Sequence, residues 1–133
     1  SYLKLTVAIS RDGNTIVAGG TNPKESRSIV FVYSKKMNSF ELQESLELNE
    51  HLEVVKVMLA TDNLRIVAGC GDGTVSVWNS IAGKFVLQST FIAHSDAIST
   101  LSMESGDLLV TGGIDDPNNT IKLWSYYQAG NTY

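Results

Sequence analysis

The sequence predicts an all-β chain built from three copies of one antiparallel unit, and three observations carry that prediction. Aromatic residues recur at Tyr33, Trp78 and Trp124, spaced 45 and then 46 residues. Glycines that end an apolar run recur at Gly19, Gly69 and Gly112, spaced 50 and then 43. Between them, short runs rich in β-branched and aromatic residues alternate with turn residues, and no helical periodicity is sustained.

The elements follow in the same order in each copy. A first strand shows period-two apolar residues: Val7 and Ile9; Val55, Val57 and Leu59; Ile98 and Thr100. Turn residues come next, at Arg11–Asn14, Thr61–Asn63 and Glu104–Asp107. Second strands read Ile16–Ala18, Ile66–Ala68 and Leu108–Val110, each closed by the recurring glycine. Third strands read Ile29–Tyr33, Thr74–Trp78 and Thr120–Trp124. Phe40–Leu48 and Phe85–Phe91 read as a fourth strand linking one unit to the next, and the tally by unit is three, four and three. Both prolines, Pro23 and Pro117, fall between the second and third strands, in the two longest of those connections. A four-stranded meander repeating in the mid-forties fits a propeller blade better than a helical array. The predicted division is 1–48, 49–92 and 93–133, the last blade incomplete. Propellers close with four or more blades, so about three make an open arc with a bare apolar face at each end.

Composition bounds the function. Ten Lys and Arg stand against fourteen Asp and Glu, a net charge of -4, which argues against nucleic-acid binding. Hydrophobic residues at 43% argue against disorder, and no apolar run is long enough to span a membrane. Cys70 is alone, which favours a reducing compartment, cytoplasmic or nuclear. The chain opens on Ser1 without a basic-then-apolar leader and reads as a piece of a longer polypeptide.

These residues resemble the WD-repeat propeller family, whose unit runs from Gly-His through three strands to Trp-Asp. The third copy carries the pattern best, in Ala93-His94, Ile98–Met103, Gly106, Leu108–Gly113 and Thr120–Trp124. The second carries it in His51, Asp62, Ile66–Gly69, Gly71–Gly73 and Val75–Trp78. His51 and His94 are 43 residues apart, the same offset as Gly69 and Gly112. Departures are plain: Ser34, Asn79 and Ser125 stand where the family has Asp, and Ala93 and Glu50 where it has Gly. The resemblance implies a buried polar network of His94, Thr111 and Trp124 with Asp116 or Asn118. In the second copy it implies His51, Asp72 and Trp78, with Ala68 in place of the hydroxyl and therefore a weaker network.

The resemblance also implies a non-enzymatic platform for protein partners, without cofactor or metal. Its partners would include further blades in the same or another chain, with no membrane or nucleic acid. His51, His94, Asp72 and Asp116 occupy equivalent places in different repeats, which speaks for scaffold rather than a converging catalytic or metal site. The glycine-rich Gly69–Gly73 lacks the Lys and Ser/Thr of a phosphate loop, and Asp12–Asn14 lacks calcium-loop spacing, so both read as turns. Tyr126, Tyr127 and Tyr133 read as part of a last strand. The connections on one rim carry Lys24, Glu25, Arg27, Glu50, Glu53, Asp96, Asp115 and Asp116, six acidic against two basic, so a basic partner segment is expected there. Self-assembly of the arc into a ring is the alternative reading, and a ligand-binding central channel the third.

Overall fold

The computed structural model describes residues 4–22, 24, 27–48, 53–60, 62, 64–115 and 117–133. Among them lie three antiparallel sheets. The first holds β1 (Lys4–Ile9), β2 (Thr15–Asn22), β3 (Arg27–Lys36) and β4 (Ser39–Glu47). The second holds β5 (Val54–Leu59), β6 (Arg65–Cys70), β7 (Thr74–Ile81) and β8 (Lys84–Ile92). The third holds β9 (Ile98–Ser105), β10 (Leu108–Asp115) and β11 (Asn118–Ser125). Each is a meander, and the sheets stack face to face as blades of an unclosed propeller. Among the described residues no helix is long and apolar enough to cross a membrane.

The strand tally of three, four and three is corrected to four, four and three. Lys36 pairs with Ser39 across a tight turn in which Met37 takes a positive φ, so β4 belongs to the first sheet. Ala82 does the same between β7 and β8. After β11 the chain reverses again through a 3-10 turn at Gln128–Gly130, with Tyr127 bridged to Thr132 and Asn131 at positive φ. The expected strand through Tyr126, Tyr127 and Tyr133 is therefore a turn.

Two apolar seams join the blades. Val17, Val30 and Val32 of the first sheet meet Val54, Val57, Ile66 and Trp78 of the second. Val67, Val75 and Val77 on the other face of the second meet Ile98, Leu101 and Leu109 of the third. The innermost strands depart from the period-two reading. The buried set in β5 includes Val54, Val57 and Leu59, and the register shifts between Val54 and Lys56. In β9 the buried residues are Ile98 and Leu101, while Thr100 is exposed, and pairing with β10 is again offset. A bulge adds one residue and turns the later side chains to the opposite face.

The outer faces of the first and third sheets are apolar and uncovered. Leu5, Val7 and Ile9 alternate outward along β1, Val7 at 67% exposure. Ile121 and Leu123 do so on β11, Ile121 at 82%. The central sheet has apolar packing on both faces; each end sheet has it on one.

Candidate functional site

The register places the β2–β3, β6–β7 and β10–β11 turns and the β4–β5 and β8–β9 connections on one rim. The densest polar arrangement sits just under it, in the third blade. His94, 1% exposed, lies in the connection into β9. Its Nε2 is 2.8 Å from the Thr111 hydroxyl of β10. Its Nδ1 is 2.7 Å from Asp115 Oδ2 and 3.1 Å from the Thr120 hydroxyl. The Trp124 indole N–H donates to the Thr111 oxygen at 3.0 Å. Thr120 donates to Asp115, Ser95 N–H donates to the other carboxylate oxygen at 2.9 Å, and the Lys122 ammonium stands 3.6 Å away.

The donors and acceptors assign the protons. A carboxylate only accepts, so Nδ1 carries hydrogen. Thr111 accepts from Trp124 and also pairs with Nε2. The chain Trp124, Thr111, His94, Asp115 is then satisfied at every buried atom, which is what keeps such a network from being costly. The hydroxyl, imidazole and carboxylate stand in the order of a nucleophilic triad, yet Thr111 and His94 are buried and spent on each other. The Thr111 hydroxyl is enclosed rather than open to a reacting atom.

The network's carboxylate is Asp115, which the sequence reading put on the rim; Asn118 takes no part. Glu25, Glu50, His51 and Asp116 lie outside the described residues. Asp72 is exposed, and its carboxylate caps the β6–β7 turn by accepting from the Thr74 amide (3.0 Å) and hydroxyl (2.6 Å). Trp78 is buried against the first blade. Lys24 and Asp96 are exposed, Glu53 is half-buried, and Arg27 is exposed and paired with Glu47. The third blade's insertion lengthens β10 and β11 to the Asp115–Asn118 pair, so Ile114–Asn119 is mostly strand rather than loop.

The hydroxyl of Thr120, with help from His94, Ser95 N–H and Lys122, holds the Asp115 carboxyl well below the usual carboxylate range. A depressed folded-state value means that the ionised form favours the fold. That stability is present above the unfolded value near 3.9 and is lost as pH falls through the folded one. We expect Asp115→Asn to flatten the acid limb of a stability–pH curve below about pH 4; an unchanged limb contradicts this. Burial pushes the Cys70 thiol up to about 11, which suits a core residue rather than a nucleophile. Among the described residues no group of three or more His, Cys, Asp or Glu is placed to hold a metal.

Sequence reasoning missed a second polar seam on the opposite rim. The Arg65 guanidinium of β6 lies 3.4 Å from the Tyr126 ring centroid. It donates to the Gly106 carbonyl of the β9–β10 turn and, at 3.1 Å, to Asn79 Oδ1. Tyr133 donates to the same carbonyl at 2.6 Å. One side chain thus ties the second blade to the third. Replacing Arg65 with Met should cost about 2 kcal/mol in thermal denaturation, and an unchanged melting temperature contradicts the assignment. No periodic signal marks this residue, whose partners are 14 to 68 positions away.

The family model described as WD domain, G-beta repeat matches residues 42–79 and 85–125. Apoptotic protease-activating factor 1 of Rattus norvegicus is 24% identical over 120 residues, 90% of this chain and 8% of that protein. WD repeat-containing protein 55 of Arabidopsis thaliana is 32% identical over 83 residues, 62% of this chain and 22% of that protein. The Dos1 propeller structure superposes with a TM-score of 0.71 at 17% identity, covering 90% of this chain and 29% of its own. The chain thus spans under a quarter of these relatives' lengths and under a third of that structure.

Proposed function

The chain belongs to the WD-repeat family, and from that membership we propose that it acts as a non-enzymatic scaffold, one stretch of a larger propeller that presents its rim to protein partners. Family members are generally interaction scaffolds, which supports that role here. The bare outer faces of β1 and β11 support further blades on both sides, from the same or another polypeptide. The lone, buried Cys70 supports a reducing compartment, cytoplasm or nucleus.

The partner segment we propose for the upper rim is basic. The observation that carries this reading is that Asp72 and Asp96 are both exposed there, while Arg27 is already paired with Glu47. Opposite charge across a rim steers association and sets partner choice more than it adds affinity. Asp96→Lys with Asp72→Lys should weaken binding of a labelled Lys/Arg-rich octapeptide about tenfold at low salt, with the difference shrinking as salt rises. Fluorescence anisotropy measures this, and unchanged affinity removes the proposal. Asp115 is unsuited to the test because its reversal would break the His94 network.

A further inference from the structure

A depression of about 400 Å³ opens on the lower rim, away from the His94 network. Its walls come from the β5–β6 turn, the β7–β8 hairpin and the C-terminal turn. We propose that it is a second docking site, for an extended peptide segment presenting one carboxylate beside an aliphatic side chain.

Three features of its walls define that chemistry. Arg65 is held rigidly: its Nε and Nη1 are committed to Asn79, Gly106 and Tyr133, and its face stacks on Tyr126. Its Nη2 has no protein partner among the described residues. A guanidinium fixed in this way offers a carboxylate a charge-assisted hydrogen bond at little entropic cost. Leu64 and Ile81 line the same depression and each is more than half exposed. They form the apolar contact for a neighbouring aliphatic group. Gln88 and Gln128 add side-chain amides, which match the donors and acceptors of an extended peptide backbone.

The charges set an upper limit on the ligand. Asp62 also lines the depression, its carboxylate accepting from Leu64 N–H at 2.9 Å. It makes no ion pair with Arg65 among the described residues. With one cation and one anion in the wall, a singly charged carboxylate is accommodated. A phosphate, carrying nearly two charges, meets repulsion from Asp62. The volume falls within the range of small-molecule sites, but the depression is largely open to solvent, which suits a segment lying across it.

The experiment is fluorescence anisotropy of a labelled peptide, Gly-Ser-Leu-Glu-Gly-Ser, titrated with the full polypeptide. A second probe carries Gln in place of Glu, and a third carries phosphoserine there. The expected result is saturable binding of the first probe, about fivefold weaker for each of the other two. Ile81→Ser and Leu64→Ser, both on exposed side chains, should weaken it comparably while leaving the thermal transition in place. Arg65→Lys should also weaken it, through loss of the planar fork. Equal binding of the Glu and Gln probes, tighter binding of the phosphoserine probe, indifference to Ile81→Ser, or no binding up to about 1 mM overturns the proposal. The upper-rim reading is tested by different residues and a basic probe, so either can fail alone.

Discussion

Gly73→Ala is expected to unfold the seam between the second and third blades, lowering stability by about 4 kcal/mol. Gly73 sits in the β6–β7 turn at φ +89, a conformation that costs an L side chain energy on its own. A methyl group there would also lie 2.0 Å from the His94 carbonyl oxygen and 2.5 Å from that of Asp96. Both obstacles are backbone, so neither can swing aside. The close approach has a reason: the Gly73 carbonyl accepts from the amides of Ala93 (2.9 Å) and His94 (3.1 Å). The turn of one blade thereby seats the connection that delivers His94 into the next. Gly13→Ala is the matched comparison, with φ +75 but nothing within 4 Å, and should cost only about 1 kcal/mol. Urea denaturation of the two variants measures the difference. Equal losses would mean that the contact with the His94 connection carries no weight.

His94→Ala should cost about 3 kcal/mol, from a cavity and from buried polar groups left unpaired. The substitution takes a partner from both Thr111 and Asp115. Gly113 marks how tightly the ring is held, since a Cβ there would lie 2.6 Å from His94 Cγ. Thr111→Val removes the hydroxyl while keeping shape, and should cost less than His94→Ala but more than a surface change, because the indole N–H of Trp124 loses its acceptor. The urea midpoint reports all three proteins. A loss under about 1 kcal/mol for His94→Ala would show that the network is incidental to the blade.

The repeat was legible because its signals are local. The Tyr33, Trp78 and Trp124 spacing, the recurring glycines and the turn residues mark strand ends without reference to any partner. What was not legible depends on pairing. The bulges in β5 and β9 arise where a strand meets its neighbour, so the burial of Val54 and Leu101 could not be read from alternation. The choice of Asp115 as the network carboxylate turns on a one-residue difference inside an insertion, and only the Asp115–Asn118 register resolves it. Thr120 read as the first residue of a third strand, yet β11 begins earlier, at Asn118, and the Thr120 hydroxyl belongs to the network. Gly73 read as a turn glycine; its contact with the next blade has no local signature. The Arg65 seam joins residues from four separate stretches of chain, and the C-terminal tyrosines that complete it looked like an ordinary strand.

We propose that these blades are one stretch of a larger ring whose end faces are covered by further blades. Size-exclusion chromatography with light scattering on residues 1–133, across a concentration series, tests it most directly. The expected result is a distribution that shifts to larger, ill-defined species as concentration rises. Val7→Lys with Ile121→Lys should suppress that shift, because both residues lie on the bare faces. A single homogeneous species at a fixed multiple of 14.4 kDa, unchanged by dilution and lost in the double variant, would contradict it by showing that the arc closes on copies of itself.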